Sequence, residues 1–219
     1  MPRILFEKKG NAVWISHLDL MRVFQRAFKR AKMPLKHSQG FNPRPSVSIA
    51  LPLSVGVESQ CELLDFELDN YDASCQDIKD RLNENLISGV SVLDVYEEGR
   101  KIRHLALLNC VIGLEYDHGV PENAELAIAD LFARETLTVP KKTKNGVQDQ
   151  DINSMIRRLQ VRVAGENTVE IDAIICCQNP TLNPMQIPLA IATYLPELTA
   201  DFTRCLRVEV LDSEEKIFR

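Results

Sequence analysis

SVSIALPLSVGVESQCELLDFELD, residues 46–69, holds two alternating runs in succession. In the first, Val47, Ile49 and Leu51 fall on one side and Ser46, Ser48 and Ala50 on the other. Alternation with a period of two marks a half-buried strand. Pro52 and Gly56 end it, because proline cannot donate to a ladder and glycine accepts turn geometry. In the second run, Cys61, Leu63 and Asp65 alternate with Glu62, Leu64, Phe66 and Leu68. That predicts a second strand, paired with the first. Two strands in a row, flanked by helices, build a split βαβ arrangement.

The flanking helices are legible. At about 100° per residue, Leu20, Met21, Phe24, Ala27, Phe28 and Ala31 share one face, opposite Arg22, Arg26, Lys29 and Arg30. Ser16 with Asp19 three residues on reads as the helix start, and Pro34 stops the helix. Before it, RILFEKK (residues 3–9) passes from apolar to charged like a short strand, and Gly10-Asn11 marks a turn. Downstream, Ser74 with Asp77 repeats the capping pattern. Ile78, Leu82 and Leu86 supply an apolar stripe, and VSVLDVYEE (residues 90–98) closes as a strand.

EEGRKIRH (residues 97–104) reads as a linker. The rest repeats the order without obvious identity. LALLNCVIGLEYD (105–117) is a strand, PENAELAIADLFARE (121–135) a helix and TLTVPKK (136–142) a short strand. NGVQDQD (145–151) contains a turn, then INSMIRRLQVRVA and TVEIDAIICC form a hairpin across Gly165-Glu166-Asn167. Asn183 fits a helix start with Pro184 in the first turn, Pro188 sits awkwardly within that helix, and CLRVEVLD (205–212) ends the fold. The expectation is an α+β protein of two tandem ferredoxin-like (βαββαβ) units packed together, with antiparallel sheets and helices on one face. The first spans residues 1–98 and the second, divergent unit spans 105–219.

A composition of 45% hydrophobic and 26% charged residues over 219 positions is that of a soluble globular chain. No apolar run approaches the ~20 residues of a membrane helix, and MPRILFEKKG is too short and charged for a signal peptide. A cytoplasmic protein without membrane contact is expected. The six cysteines form no C-x-x-C pair or zinc-type cluster, so reduced thiols, no metal and no cofactor are expected.

The net charge of −5 conceals a split. Residues 1–50 hold ten Lys/Arg against Glu7 and Asp19, an excess of +8; the remainder holds sixteen cations against twenty-nine acids, or −13. The basic excess either neutralises the acidic remainder or forms a local anion-binding patch. After the helix comes SQGFNPRP (residues 38–45). Gly40 permits positive φ or close backbone approach. Asn42 before Pro43 is biased to extended geometry, and Pro43 and Pro45 fix φ. Together with Ser38 these residues describe a stiff turn. Phe41 either plugs the core or stacks on a base, the core being favoured. Arg44 between two prolines suits a fork-like grip on phosphate or carboxylate. The predicted nucleic-acid or anion site is Arg22, Arg26, Lys29, Arg30, Lys36 and Arg44. His17 and His37 are weak catalytic candidates, because neither has an evident orienting group or oxyanion site. No phosphate-binding glycine loop or metalloprotease motif occurs.

WISHLDLMRVFQRAFKRAKMPLKHSQGFNPRPSVSIALPLSVGVES (residues 14–59) resembles the hallmark segment of the radical-SAM-linked proteins, an uncharacterised bacterial family encoded beside or fused to a radical SAM protein. The SHLDL start, paired basic residues, SQGFNP turn and PL-x-VG-x-ES tail carry the resemblance, which is strong over residues 3–69. The second half departs: Asp151-Ile152-Asn153-Ser154 and Thr181-Leu182-Asn183-Pro184 replace D-I-R-P and N-L-R-P patterns, and Arg44 stands where the family commonly has histidine. The resemblance implies a radical SAM protein as partner, with the iron–sulfur cluster belonging to that partner. The family's frequent gene neighbours, a ribonuclease and ribosomal proteins, imply tRNA or rRNA as context. The expected function is a non-catalytic, RNA-binding or substrate-presenting accessory protein. The alternatives are an adaptor without RNA contact and a metal-independent RNA-processing endonuclease. The endonuclease reading follows CRISPR repeat-processing enzymes, which also pair ferredoxin-like units but carry a glycine-rich loop near the C-terminus that is missing here.

Overall fold

In the computed structural model, which describes residues 1–143 and 146–219, Arg3–Lys8 forms strand β1. It pairs antiparallel with Val57–Phe66 (β3) on one edge and Val90–Tyr96 (β4) on the other. Successive side chains of a strand point to opposite faces, and Arg3, Ile4, Leu5 and Phe6 are all buried, so both faces of β1 are covered. The charged end expected of this strand reaches solvent only in part: Lys9 is exposed and Lys8 is not. Lys8 is fully buried, and its Nζ donates to Val13 O at 3.1 Å and Ile15 O at 3.0 Å.

Val47–Ile49 (β2) pairs antiparallel with β3, giving the order β4-β1-β3-β2. It is shorter than its alternation predicts, and it lies between Pro45 and Pro52, which lack the amide protons a ladder uses. β3 is not half-buried as its alternation predicts. Leu63 and Leu64 point to opposite faces and both are buried, so β3, an interior strand of its sheet, is covered on each face.

His17–Arg30 (α1) begins at Ser16, whose Oγ accepts from the Asp19 amide at 3.2 Å. Cys75–Asn85 (α2) begins at Ser74 in the same way, with the Asp77 amide at 3.1 Å. Both helices pack on one face of the sheet through Leu20, Phe24, Phe28, Ile78 and Leu82, which meet Ile4, Phe6, Leu64 and Phe66. Phe6 and Phe24 meet edge-on at 4.7 Å, and Phe28 and Phe66 lie tilted at 5.2 Å. Each fully buried Phe or Leu in this cluster contributes roughly 1.5–3 kcal/mol. The predicted stripe of α2 stops one residue early, because Leu86 already has extended backbone.

The chain divides into two compact units, Met1–His104 with Phe218–Arg219, and Leu105–Ile217. The last two residues therefore belong with the first unit rather than the second. The second unit is built from Leu107–Glu115 (β5), Ala124–Phe132 (α3), Thr138–Thr143 (β6), Gly146–Asp151 (β7), Ile156–Gly165 (β8), Thr168–Cys176 (β9), Gln186–Tyr194 (α4) and Phe202–Leu211 (β10). Its main strands run in the order β10-β5-β9-β8, with antiparallel pairing between neighbours.

The predicted single short strand at 136–142 is instead half of a separate two-stranded sheet, β6-β7. The turn expected in residues 145–151 falls partly outside the described residues, and Gly146–Asp151 is strand. α4 starts after the predicted point, because Asn183 Oδ1 accepts from the Met185 amide at 3.1 Å and holds a turn ahead of the helix. Pro188 is tolerated in the first turn of α4, where amide protons have no intrahelical partner. The protein is thus of mixed α/β type, with antiparallel sheets and four α-helices among the described residues.

Candidate functional site

The outer face of α1 presents Arg22, Arg26, Lys29 and Arg30, all exposed. The apolar stripe on the opposite face decides this, because burying Leu20, Phe24, Ala27 and Phe28 turns the intervening cations outward. Two of the four are engaged. Arg22 Nη1 donates to Asp19 Oδ1 at 2.8 Å, and Arg30 Nη2 donates to Asn85 O at the end of α2. The Asp19 carboxyl lies below its ordinary range because Ser16 Oγ and Arg22 hydrogen-bond it, with Arg26 adding attraction through space. The outer face is therefore less self-repelling than the absence of an acid four residues away implies. The compensating acid sits at three.

Residues 36–46 form a narrow, hydrogen-bonded hairpin. The Ser46 amide donates to Lys36 O at 2.7 Å and the Ser38 amide to Arg44 O at 2.8 Å, while Ser38 Oγ accepts from the Arg44 amide at 3.0 Å. Its base is tied to the end of β3. The Lys36 amide donates to Glu67 O at 2.9 Å, the Glu67 amide to Ser46 O at 3.1 Å, and Lys36 Nζ meets Glu67 Oε2 at 2.9 Å.

The Glu67 carboxylate raises the Lys36 pKa. The pair's contribution is complete below the ordinary lysine value and is lost as pH rises through the raised one. An open depression of about 310 Å³ beside the hairpin is lined by Lys36, His37, Ser38, Arg44, Pro45, Ser46 and Glu67.

The hairpin carries Gln39 to Pro43 at its tip. Gly40 adopts φ +133°, a conformation that a residue with a Cβ resists. A Cβ there would meet nothing within 4 Å, so the requirement is conformational and not steric. Phe41 does not plug the core. It is 113% exposed, as open as a free side chain. Asn42, Pro43 and Arg44 are exposed as well.

Of the ten cations in residues 1–50, six are engaged within the chain. Arg3 pairs with Asp65, Lys8 is buried, Lys9 pairs with Glu7, and Arg22, Arg30 and Lys36 are held as above. Of the six predicted site cations, Arg26, Lys29 and Arg44 remain exposed and make no ion pair among the described residues. Trp14, 63% exposed just before α1, was absent from the predicted site. It is the sole tryptophan and lies in an apolar run. No sequence signal separates it from Val13 beside it, which is buried.

His37 Nδ1 lies 2.9 Å from Leu35 O, and Ser38 Oγ faces the Arg44 amide, so no hydroxyl–imidazole pair forms at the hairpin. His17 Nδ1 is buried and unpaired. The cysteines are all free, and no cluster of three or more His, Cys, Asp or Glu that could hold a metal occurs among the described residues. Burial pushes the Cys205 thiol up to about 11. Native protein treated with iodoacetamide at about pH 8, well below that value, is therefore expected to leave Cys205 unmodified by mass spectrometry until it is unfolded.

Fold and site together define an α/β protein with an exposed basic helix and a cationic, aromatic-tipped hairpin. The chain belongs to the family described as an uncharacterized protein conserved in bacteria (DUF2344), which it matches over residues 2–184. The match runs through Asp151–Ser154 and Thr181–Pro184, so the divergent second half lies within the family for most of its length. No curated protein matches the chain. Among solved structures it is similar to a chain of a Cbf5-Nop10-Gar1 complex, with 10% identity and a TM-score of 0.53 over 95% of this chain and 48% of that one. It thus spans about half the length of that relative, and a likeness at this identity concerns the fold alone. An unknown protein from Galdieria sulphuraria aligns at 10% identity over 94% of this chain and 97% of that one, with a TM-score of only 0.26. No helix among the described residues is long and apolar enough to cross a membrane.

Proposed function

We propose that this chain is a cytoplasmic, non-catalytic accessory protein that binds RNA, such as tRNA or rRNA, and presents it to a radical SAM enzyme. Two ferredoxin-like units form its frame. In support, both units place two helices among strands in the orders β4-β1-β3-β2 and β10-β5-β9-β8. The radical SAM partner rests on the resemblance of residues 3–69 to the radical-SAM-linked proteins.

The observation that carries the reading is the exposure of Arg26 and Lys29 on α1, and of Arg44 on a hairpin whose backbone is already fixed, with no ion pair among the described residues. Such cations gain by neutralising phosphates and releasing counterions. Rigid presentation lowers the ordering cost of the contact.

Fluorescence anisotropy with tRNA and rRNA fragments tests the proposal. Affinity is expected to fall steeply as salt rises from about 50 to 200 mM. In Arg26→Glu, Lys29→Glu and Arg44→Ala, binding should weaken uniformly across sequences. The log–log salt slope should drop by roughly 0.7 to 1 per lost contact. If no RNA is retained at low salt, the RNA reading is wrong. Co-purification with the radical SAM protein, free of nucleic acid and sensitive to the same substitutions, would then identify an adaptor.

A further inference from the structure

We infer that the RNA taken by this surface is single-stranded, with unpaired bases stacking on Phe41 and Trp14; the inference rests on the RNA-binding reading above. The first unit does not leave phenylalanines in water as a habit. Phe6, Phe24, Phe28, Phe66 and Phe218 are each 0% exposed, whereas Phe41 is 113% exposed. A side chain that contributes nothing to its own core and sits at the tip of a closed hairpin is free for an external partner.

Phe41 is presented from fixed backbone. The Ser38–Arg44 bonds shut the hairpin below it, and Pro43 and Pro45 stiffen the returning strand. Trp14 is held similarly. The Gly56 amide donates to Val13 O at 2.9 Å, Lys8 Nζ donates to the same oxygen, and a Cβ at Gly56 would touch the Trp14 ring at 3.6 Å.

Between the two aromatics in sequence runs α1, 14 residues long and about 21 Å from end to end at 1.5 Å per residue. Leu18, Arg22 and Lys29 lie within roughly 40° of one another on its wheel, with Arg26 beside them. In sequence order an exposed aromatic precedes the cationic stripe and another follows it, and these two residue types supply the two needs of a single strand, phosphate neutralisation and base stacking. A duplex offers phosphates too, but its base faces are already stacked on each other. Neither aromatic could then contribute.

The test uses the full chain, an oligoribonucleotide of about ten nucleotides without self-complementarity, and the same strand annealed to its complement. Trp14 is the only tryptophan, so its fluorescence reports directly on one of the two platforms. The single strand is expected to bind at least about tenfold tighter than the duplex and to quench Trp14 emission. Phe41→Ala should lower single-strand affinity by about 5- to 150-fold, the equivalent of 1–3 kcal/mol per stacked base. Its salt slope should stay unchanged and its circular dichroism should match the parent. Trp14→Ala should behave alike, with Trp14→Phe recovering most of the affinity.

Equal affinity for both probes overturns the inference. So does full single-strand affinity in Phe41→Ala and Trp14→Ala while Arg26→Glu loses it; in either case RNA binding itself survives. If neither probe binds, the RNA reading and this inference fall together.

Discussion

Asp65→Ala is expected to destabilise the first unit by about 3 kcal/mol, the lower end of the range for breaking a buried ion pair. The measurement is a shift in the urea midpoint at constant slope. Arg3 is 2% exposed; its Nε donates to Asp65 Oδ1 at 2.6 Å and its Nη2 to Oδ2 at 3.1 Å. The guanidinium also lies 5.4 Å from the centre of the Phe218 ring. Gly99 closes over it: a Cβ at Gly99 would fall 2.4 Å from Arg3 Cζ.

Arg3 Nη1 already has no hydrogen-bond partner. Removing the carboxylate would leave a desolvated cation with no room to swing to water. The lower end applies because the Asp65 side chain is 19% exposed, and some water can reach the vacated space. Combining Asp65→Leu with Arg3→Met is expected to recover most of the loss, because a buried pair swapped for apolar residues is often neutral. A midpoint for Asp65→Ala that matches the parent would refute the account.

Phe218→Ala is expected to cost about 3–5 kcal/mol. Phe218 is 0% exposed, and its ring is faced by two guanidiniums, Arg3 at 5.4 Å and Arg100 at 5.1 Å. The truncation loses the transfer energy of the ring, opens a cavity beside a buried charge, and removes two cation–π contacts of about 0.5–2 kcal/mol each. Phe218→Leu separates these terms. It keeps most of the apolar volume and is expected to recover more than half of the loss, the remainder measuring the ring's attraction for the cations. Equal losses in Phe218→Ala and Phe218→Leu would show that packing counts for little there. Because Arg3 is shared, the Asp65 and Phe218 substitutions should not add, and a double-mutant cycle should show coupling.

The cation stripe and the hairpin illustrate how far residue pattern reaches. The i, i+3, i+4 spacing in residues 20–31 encodes a buried face and a charged face, because helix geometry is local. SQGFNPRP encodes a constrained turn for the same reason, since Gly40, Pro43 and Pro45 restrict their own dihedrals. Pattern could not say which cations stay free. Lys36 is bound by Glu67 and Arg30 by Asn85 O, partners 31 and 55 positions away. Arg3, counted in the basic excess of residues 1–50, is a buried partner of Asp65, 62 positions on. Phe41, favoured as a core residue, is exposed because hydrophobicity does not report whether a neighbour arrives to cover a side chain.

What the amino-acid order determined alone is local: the strand–helix–strand–strand–helix–strand succession of the first unit, both serine caps, the amphipathic helix and the stiff turn. Each depends on residues within a few positions of one another. Only the tertiary structure decided that β3 is interior and that the strand at 136–142 leaves the main sheet as half of β6-β7. It also decided that six of ten early cations are engaged within the chain and that two aromatics face solvent. Those outcomes depend on which distant segments meet, and burial, pairing and charge compensation are settled by such meetings.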